Sequence, residues 1–114
     1  MTPNQIKWVE ALRSGKYKQG KGYLDEGGEY CCLGVACKIF NIPATDAHYP
    51  PKELVNLLDL VDDAGRRRGP DGTDDTLAHH NDNGKDFNQI ADLIETGNYF
   101  ATVPLLPEGS KGLD

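Results

Sequence analysis

Cys31, Cys32 and Cys37 fall within seven residues, and a second chemical cluster, His79-His80-Asn81-Asp82, lies downstream. A thiol at the start of a helix has its thiolate favoured by the helix dipole. Cys32 stands where a short strand pattern gives way to helical spacing. With His79 or His80 as base, and Asp82 or Asn81 orienting it, Cys32 would complete a cysteine–histidine–acid arrangement. The competing reading is plainer, because a cysteine on an apolar helix ordinarily packs as a small hydrophobe. Metal chemistry fits less well. Cys32 and Cys37 are five residues apart, about 140° round a helix, and do not converge as a Cys-x-x-Cys pair does. Residues 71–75 and the surroundings of Asp82 lack the ligand series of a calcium loop. No metal site and no cofactor are expected.

The second candidate chemistry is capture of a phosphate. Lys18 and Lys21 sit in a glycine-rich stretch with Tyr17, Gln19 and Tyr23, and Arg66, Arg67 and Arg68 form a dense basic cluster flanked by glycines. Guanidinium groups on a loop suit phosphate geometry, and a tyrosine can stack on a base. The helix-start amides around Leu33 and Gly34 could receive the same anion, Gly34 allowing close approach. Against this, lysines also solubilise an exposed strand edge, and the arginines have aspartates on both sides with which to pair.

The elements that must position these groups follow from local pattern. Thr2-Pro3-Asn4-Gln5 opens a helix with a capping box, and Ile6, Val9 and Leu12 give it an apolar stripe beside Trp8 before Ser14-Gly15 ends it. Residues 16–24 and 29–31 read as two strands joined by Asp25-Glu26-Gly27-Gly28, an antiparallel hairpin. From Cys32 to Phe40 the pattern is helical and apolar nearly all round, which places that helix centrally. Pro50-Pro51 opens a third helix carrying Leu54, Leu57, Leu58 and Val61. Residues 62–75 are a long polar loop, functional or mobile. Asp86, with Gln89, caps a last helix bearing Phe87, Ile90, Leu93 and Ile94. The expected fold is therefore α+β: a single small domain with about four short helices packed around a small antiparallel hairpin sheet. It would span residues 1–107, with 108–114 as a flexible tail. The apolar stretch from Tyr99 to Leu106 could dock on the core or on a partner.

With a net charge of −6 over 114 residues, the chain lacks the basic surface that general nucleic-acid binding requires. No run reaches the length of a membrane span, and the N-terminus lacks a signal pattern. Three clustered cysteines fit a reducing compartment, so a cytoplasmic location is expected. A homo-oligomer stays open.

Two resemblances bear on function. The string Tyr30-Cys31-Cys32-Leu33-Gly34-Val35 is similar to the start of the catalytic helix in papain-like cell-wall amidases, departing at Cys31 and Leu33. That resemblance implies a cysteine hydrolase using Cys32. A longer pattern is Trp8-x-x-Ala11-Leu12-Arg13-Ser14-Gly15, then Tyr30-Cys31-Cys32-Leu33-Gly34-Val35, then Asn81-Asp82 and Ile90-Ala91-Asp92-Leu93-Ile94-Glu95. It resembles a family of small bacteriophage-encoded proteins of uncharacterised activity. Residues 62–75 and the His79-His80 pair lie outside its pattern. The resemblance implies a compact phage protein acting on its host. The leading expectation is a non-enzymatic binder that captures a host factor or a small phosphate-bearing, nucleotide-type ligand, with a role against host defence. The alternatives are the hydrolase and an inhibitor of another protein that uses the apolar C-terminal segment.

Overall fold

Gln5 and Trp8 show how the first helix is fixed in place. The structure, a computed structural model, describes residues 1–44, 47–69 and 75–102 of the chain. Helix α1 (Pro3–Arg13) begins with the expected capping box between Thr2 and Gln5. The Gln5 amide also donates to the Leu58 carbonyl at 2.9 Å, so one side chain ties two helices together. Trp8 is fully buried, and its indole N–H donates to the Cys32 carbonyl at 2.9 Å. A buried tryptophan needs such a partner for its one polar atom.

Helix α2 (Cys32–Ile39) is the centre of the molecule, as its apolar pattern requires, with every residue from Cys32 to Cys37 buried. Its glycine is dictated by packing. A Cβ on Gly34 would lie 1.7 Å from the Leu24 carbonyl oxygen, so the backbone of the preceding loop occupies the place of a side chain.

That contact explains a departure from the expected hairpin. Strands β1 (Lys18–Gln19) and β2 (Glu29–Tyr30) pair in parallel, Lys18 opposite Glu29 and Gln19 opposite Tyr30. The tight turn foreseen at residues 25–28 exists, but it closes Glu26 on Glu29 in an antiparallel bridge. Between the strands the chain dips to bury Leu24 completely against α2, and then returns through the turn. Gly22, Gly27 and Gly28 have positive φ, which lets so short a link reverse twice. Burial of Leu24 outweighs the simpler antiparallel ladder.

Helix α3 (Lys52–Leu58) ends at a left-handed Asp59. Helix α4 (Leu77–Asp82) brings the helices among the described residues to five, where the sequence suggested about four. At six residues it is too short to show helical periodicity, and it is started by Thr76, whose hydroxyl accepts from the His79 amide at 3.0 Å. Helix α5 (Phe87–Thr96) carries the expected capping box of Asp86 and Gln89 and packs on α1. Leu60 then bridges Phe100, and Tyr99 is buried. The α+β class is as read from the sequence. Among the described residues no helix is long and apolar enough to cross a membrane.

Candidate functional site

The residues first singled out are mostly engaged in holding the fold. Cys32 is fully buried; its amide donates to Asn81 Oδ1 at 3.2 Å and its thiol to the Leu77 carbonyl at 3.7 Å. Burial pushes the Cys32 thiol well up, with the Cys31 neighbour adding to it, which opposes the thiolate a nucleophile needs. Cys37 is raised to about 12 for the same reason. His80 turns to Asp75, 2.7 Å from Oδ1, while His79 is exposed. The structure thus separates the Cys32–histidine constellation into a core cysteine and two histidines with different surroundings.

Asn81 is the buried centre of another set. Its Oδ1 accepts from Gln19 Nε2 at 2.8 Å and from the Cys32 amide, and its Nδ2 donates to the Gly20 carbonyl at 2.8 Å. Gln19 also donates to the Lys85 carbonyl at 2.7 Å, so this side chain braces β1 against α4. Lys18 pairs with Glu29 at 3.3 Å on the surface, and Tyr17 packs edge-on against Tyr30. Leu33 is a core residue, and the space beside Gly34 is filled by Leu24. Lys21 lines a cavity of about 230 Å³ with Lys85 and Gly84.

The three arginines diverge. Arg67 Nε donates to Asp75 Oδ2 at 3.1 Å. Arg68 reaches the Phe100 carbonyl at 2.5 Å, and its amide donates to the Asn98 carbonyl. Arg67 thus closes the polar loop on itself, and Arg68 stitches it to residues 98–100. Arg66 Nε donates to Asp62 Oδ2 at 2.8 Å, and Arg66 also lines a surface cavity. The internal pairing foreseen with the flanking aspartates is therefore present for Arg66 and Arg67.

The groove that includes Arg66 is the candidate site. Its larger chamber, about 300 Å³, is walled by Ala64, Arg66, Thr76 and His79. Its smaller chamber, about 140 Å³, is walled by Gly22, Cys31 and His48. Tyr49, Ala78 and Asp82 line both chambers, which places the two side by side. Ala78 and Asp82 are four residues apart on α4 and so share a face. Tyr49, on the α2–α3 connection, is 56% exposed, leaving its ring available to a ligand.

The small chamber has definite polarity. His48 Nδ1 lies 2.6 Å from the Gly22 carbonyl, which can only accept, so Nδ1 carries the proton and the neutral ring keeps its lone pair on Nε2. Tyr23 stacks on that ring with centroids 4.3 Å apart. The foreseen role of Tyr23 as a stacking residue becomes support for His48. Asp82 Oδ1 accepts from the Gly22 amide at 2.9 Å, and Oδ2 has no hydrogen bond among the described residues. Cys31, the N-cap of α2, is 5% exposed. Its thiol is raised chiefly by burial and further by Asp82, while the Leu33 and Gly34 amides act in the opposite direction. At neutral pH it stays a thiol. Sequence reasoning missed His48, Tyr49 and Cys31 as groove residues. Their only signal was a histidine–tyrosine pair held just ahead of the stiff Pro50-Pro51.

A family model described as a domain of unknown function (DUF8296) matches residues 3–57. The chain is similar to that domain from α1 into α3, a span holding Gly22, Cys31, His48 and Tyr49 but not Arg66, His79 or Asp82. No curated protein and no solved structure matches the chain. Among the described residues no histidine, cysteine and carboxylate group is placed to hold a metal ion. The groove offers a guanidinium, two imidazoles, a carboxylate, an aromatic ring and a protonated thiol.

Proposed function

We propose that this protein is a non-enzymatic binder of a small phosphate-bearing ligand, seated in the groove between the α2–α3 connection and α4. The observation that carries the reading is the placement of Arg66 and His79 in one chamber with Tyr49 and Asp82. Arg66 and His79 would hold the anion, and Tyr49 would cover a planar ring. The foreseen contacts change accordingly: Arg66 stays, whereas Lys18, Gln19, Arg67 and Arg68 act within the fold. Binding without turnover also fits the host-directed, anti-defence role that the phage resemblance implies, since sequestration needs no reactive group.

Calorimetric titration with a panel of nucleoside monophosphates and inorganic phosphate tests the reading. Binding that weakens at least about tenfold in Arg66→Gln is the expected result, a loss of the size that one charge-assisted contact supplies. Absence of heat across the panel at millimolar ligand would sink it. For the hydrolase alternative, the fully buried Cys32 gives no support. The protein-inhibitor alternative rested on residues 99–106: Tyr99 is buried in the core and Phe100 half-buried, while 103–106 lie outside the described residues, as does the expected tail at 108–114.

A further inference from the structure

Lys21 and Lys85 take no part in the groove. They line one cavity of about 230 Å³ together with Gln19, Asn81 and Gly84. Neither ammonium group has an ion pair among the described residues. The carboxylates nearest in sequence have other tasks. Asp82 Oδ1 accepts from the Gly22 amide, and Asp86 Oδ1 accepts from the Gln89 amide as the N-cap of α5. No carboxylate is among the described residues that line this cavity, whereas four others each have an aspartate: Asp82 in both groove chambers, Asp25 beside Gly34, and Asp59 beside Phe100. In a chain of net charge −6, a cavity with two cations and no anion in its wall is a local inversion of sign.

The fold fixes the backbone of both lysines. On either side of Lys21, the Gly20 carbonyl accepts from Asn81 Nδ2 and the Gly22 amide donates to Asp82. The Lys85 carbonyl accepts from Gln19 at 2.7 Å, and its amide donates to the His80 carbonyl at 3.1 Å. Gln19 Nε2 and Asn81 Nδ2 spend their hydrogens inside the fold, so the cavity recognises charge through the lysines alone. We propose that this cavity is a second anion site, separate from the groove, that takes a phosphate dianion as the free ion or as the terminal group of a monoester. Two ammonium groups balance a dianion, whereas a carboxylate leaves one of them uncompensated. Ammonium groups act as point charges without the fixed fork of arginine, so they accept the free ion and the ester alike. The volume suits one phosphate with part of its hydration shell, since a water occupies about 30 Å³.

Residue-resolved NMR of the whole protein tests the site, with inorganic phosphate and methyl phosphate titrated in turn. Ionic strength is held constant with sodium chloride so that screening does not change. The amides of Lys21, Gly84 and Lys85 report this cavity, and those of Ala78 and His79 report the groove. Saturable shifts in the first set are expected, with acetate weaker by at least about tenfold. In the double variant Lys21→Gln and Lys85→Gln, saturation should need at least about tenfold more phosphate, the loss of one or more charge-assisted contacts. In Arg66→Gln the same shifts should be unchanged. The double variant should melt with the parent, and the two single variants give the same comparison if it does not. Saturation by inorganic phosphate alone confines the site to the free ion, and saturation by methyl phosphate makes it a monoester site. No saturable shift at Lys21, Gly84 and Lys85 with either probe at millimolar concentration overturns the proposal. So does an equal response to acetate, or saturation kept in the folded lysine variants. Shifts at Ala78 and His79 bear on the groove alone, so the two readings fail separately.

Discussion

Asn81 and Asp82 are neighbours on one short helix and have opposite fates. Asn81 is fully buried, and both ends of its amide are hydrogen-bonded to other elements. Asp82 is exposed, with one carboxylate oxygen held by Gly22 and the other uncommitted among the described residues. The first belongs to a polar brace that joins β1, α2 and α4; the second belongs to a groove. A buried polar atom must find a partner on folding, so full satisfaction marks structure. A polar atom left with capacity beside a cavity marks a place where a ligand can supply the missing bond. Neither residue type nor position in the sequence separates the two.

Breaking the brace should have the largest effect. Asn81→Ala leaves the buried Cys32 amide and the Gly20 carbonyl without this partner, at a cost of about 4 kcal/mol. Chemical denaturation should show that loss, and the melting temperature should fall by about 15 °C. A shift of only a few degrees would mean that the brace is not what holds α4. Gly34→Ala comes next. The added methyl meets the Leu24 carbonyl, a backbone atom that cannot step aside without moving the loop. About 3 kcal/mol is expected, with the loop residues 20–24 losing amide protection first in hydrogen exchange.

These two positions also show where sequence reading succeeds and fails. Gly34 was legible as a close-approach glycine, but the approaching group is the chain's own backbone, which no local pattern announces. The capping boxes at Thr2 and Asp86 were legible because they are complete within four residues. The strand direction was not, because it depends on Leu24 reaching α2 across the fold. The groove was least legible of all. Its walls come from the β1–β2 link, the β2–α2 junction, the α2–α3 connection, the segment after α3, and α4, a helix too short to leave a periodic trace. Charge density pointed to three arginines; tertiary geometry pairs Arg66 with Asp62 and Arg67 with Asp75, sends Arg68 to Phe100, and puts Arg66 in the groove wall.

A smaller, pH-dependent effect is expected at Asp75. Burial alone would raise its pKa, but hydrogen bonds from Tyr99 and His80 and the nearby Arg67 outweigh it, and the carboxyl titrates below its ordinary range. The same contact and burial hold the Tyr99 hydroxyl protonated throughout the physiological range. A depressed folded-state pKa means stability that is fully present above the unfolded value, about 4, and is lost as pH falls through the folded one. Urea midpoints should therefore decline on acidification below pH about 4 in the parent protein. In Asp75→Asn stability should start lower by about 1–2 kcal/mol, and part of that acid decline should disappear. A decline of equal steepness in both proteins would assign the acid sensitivity to other carboxylates, Asp62 foremost, since burial opposes but Arg66 and two backbone amides lower it too.

The smallest stability effect should come from the groove itself, and that is where the comparison is sharpest. Tyr49 is more than half exposed and stacks on no other ring among the described residues. Tyr49→Ala removes surface that is already wet, so unfolding free energy should move by no more than about 0.5 kcal/mol. The same change removes the ring that lines both chambers, and nucleotide affinity should drop by a factor of about 10, the low end of the contribution of base stacking. A variant that melts with the parent yet binds poorly separates ligand contact from structural support at a single side chain. If Tyr49→Ala instead destabilises as Asn81→Ala does, the groove wall is part of the brace, and the distinction between the two faces of α4 fails.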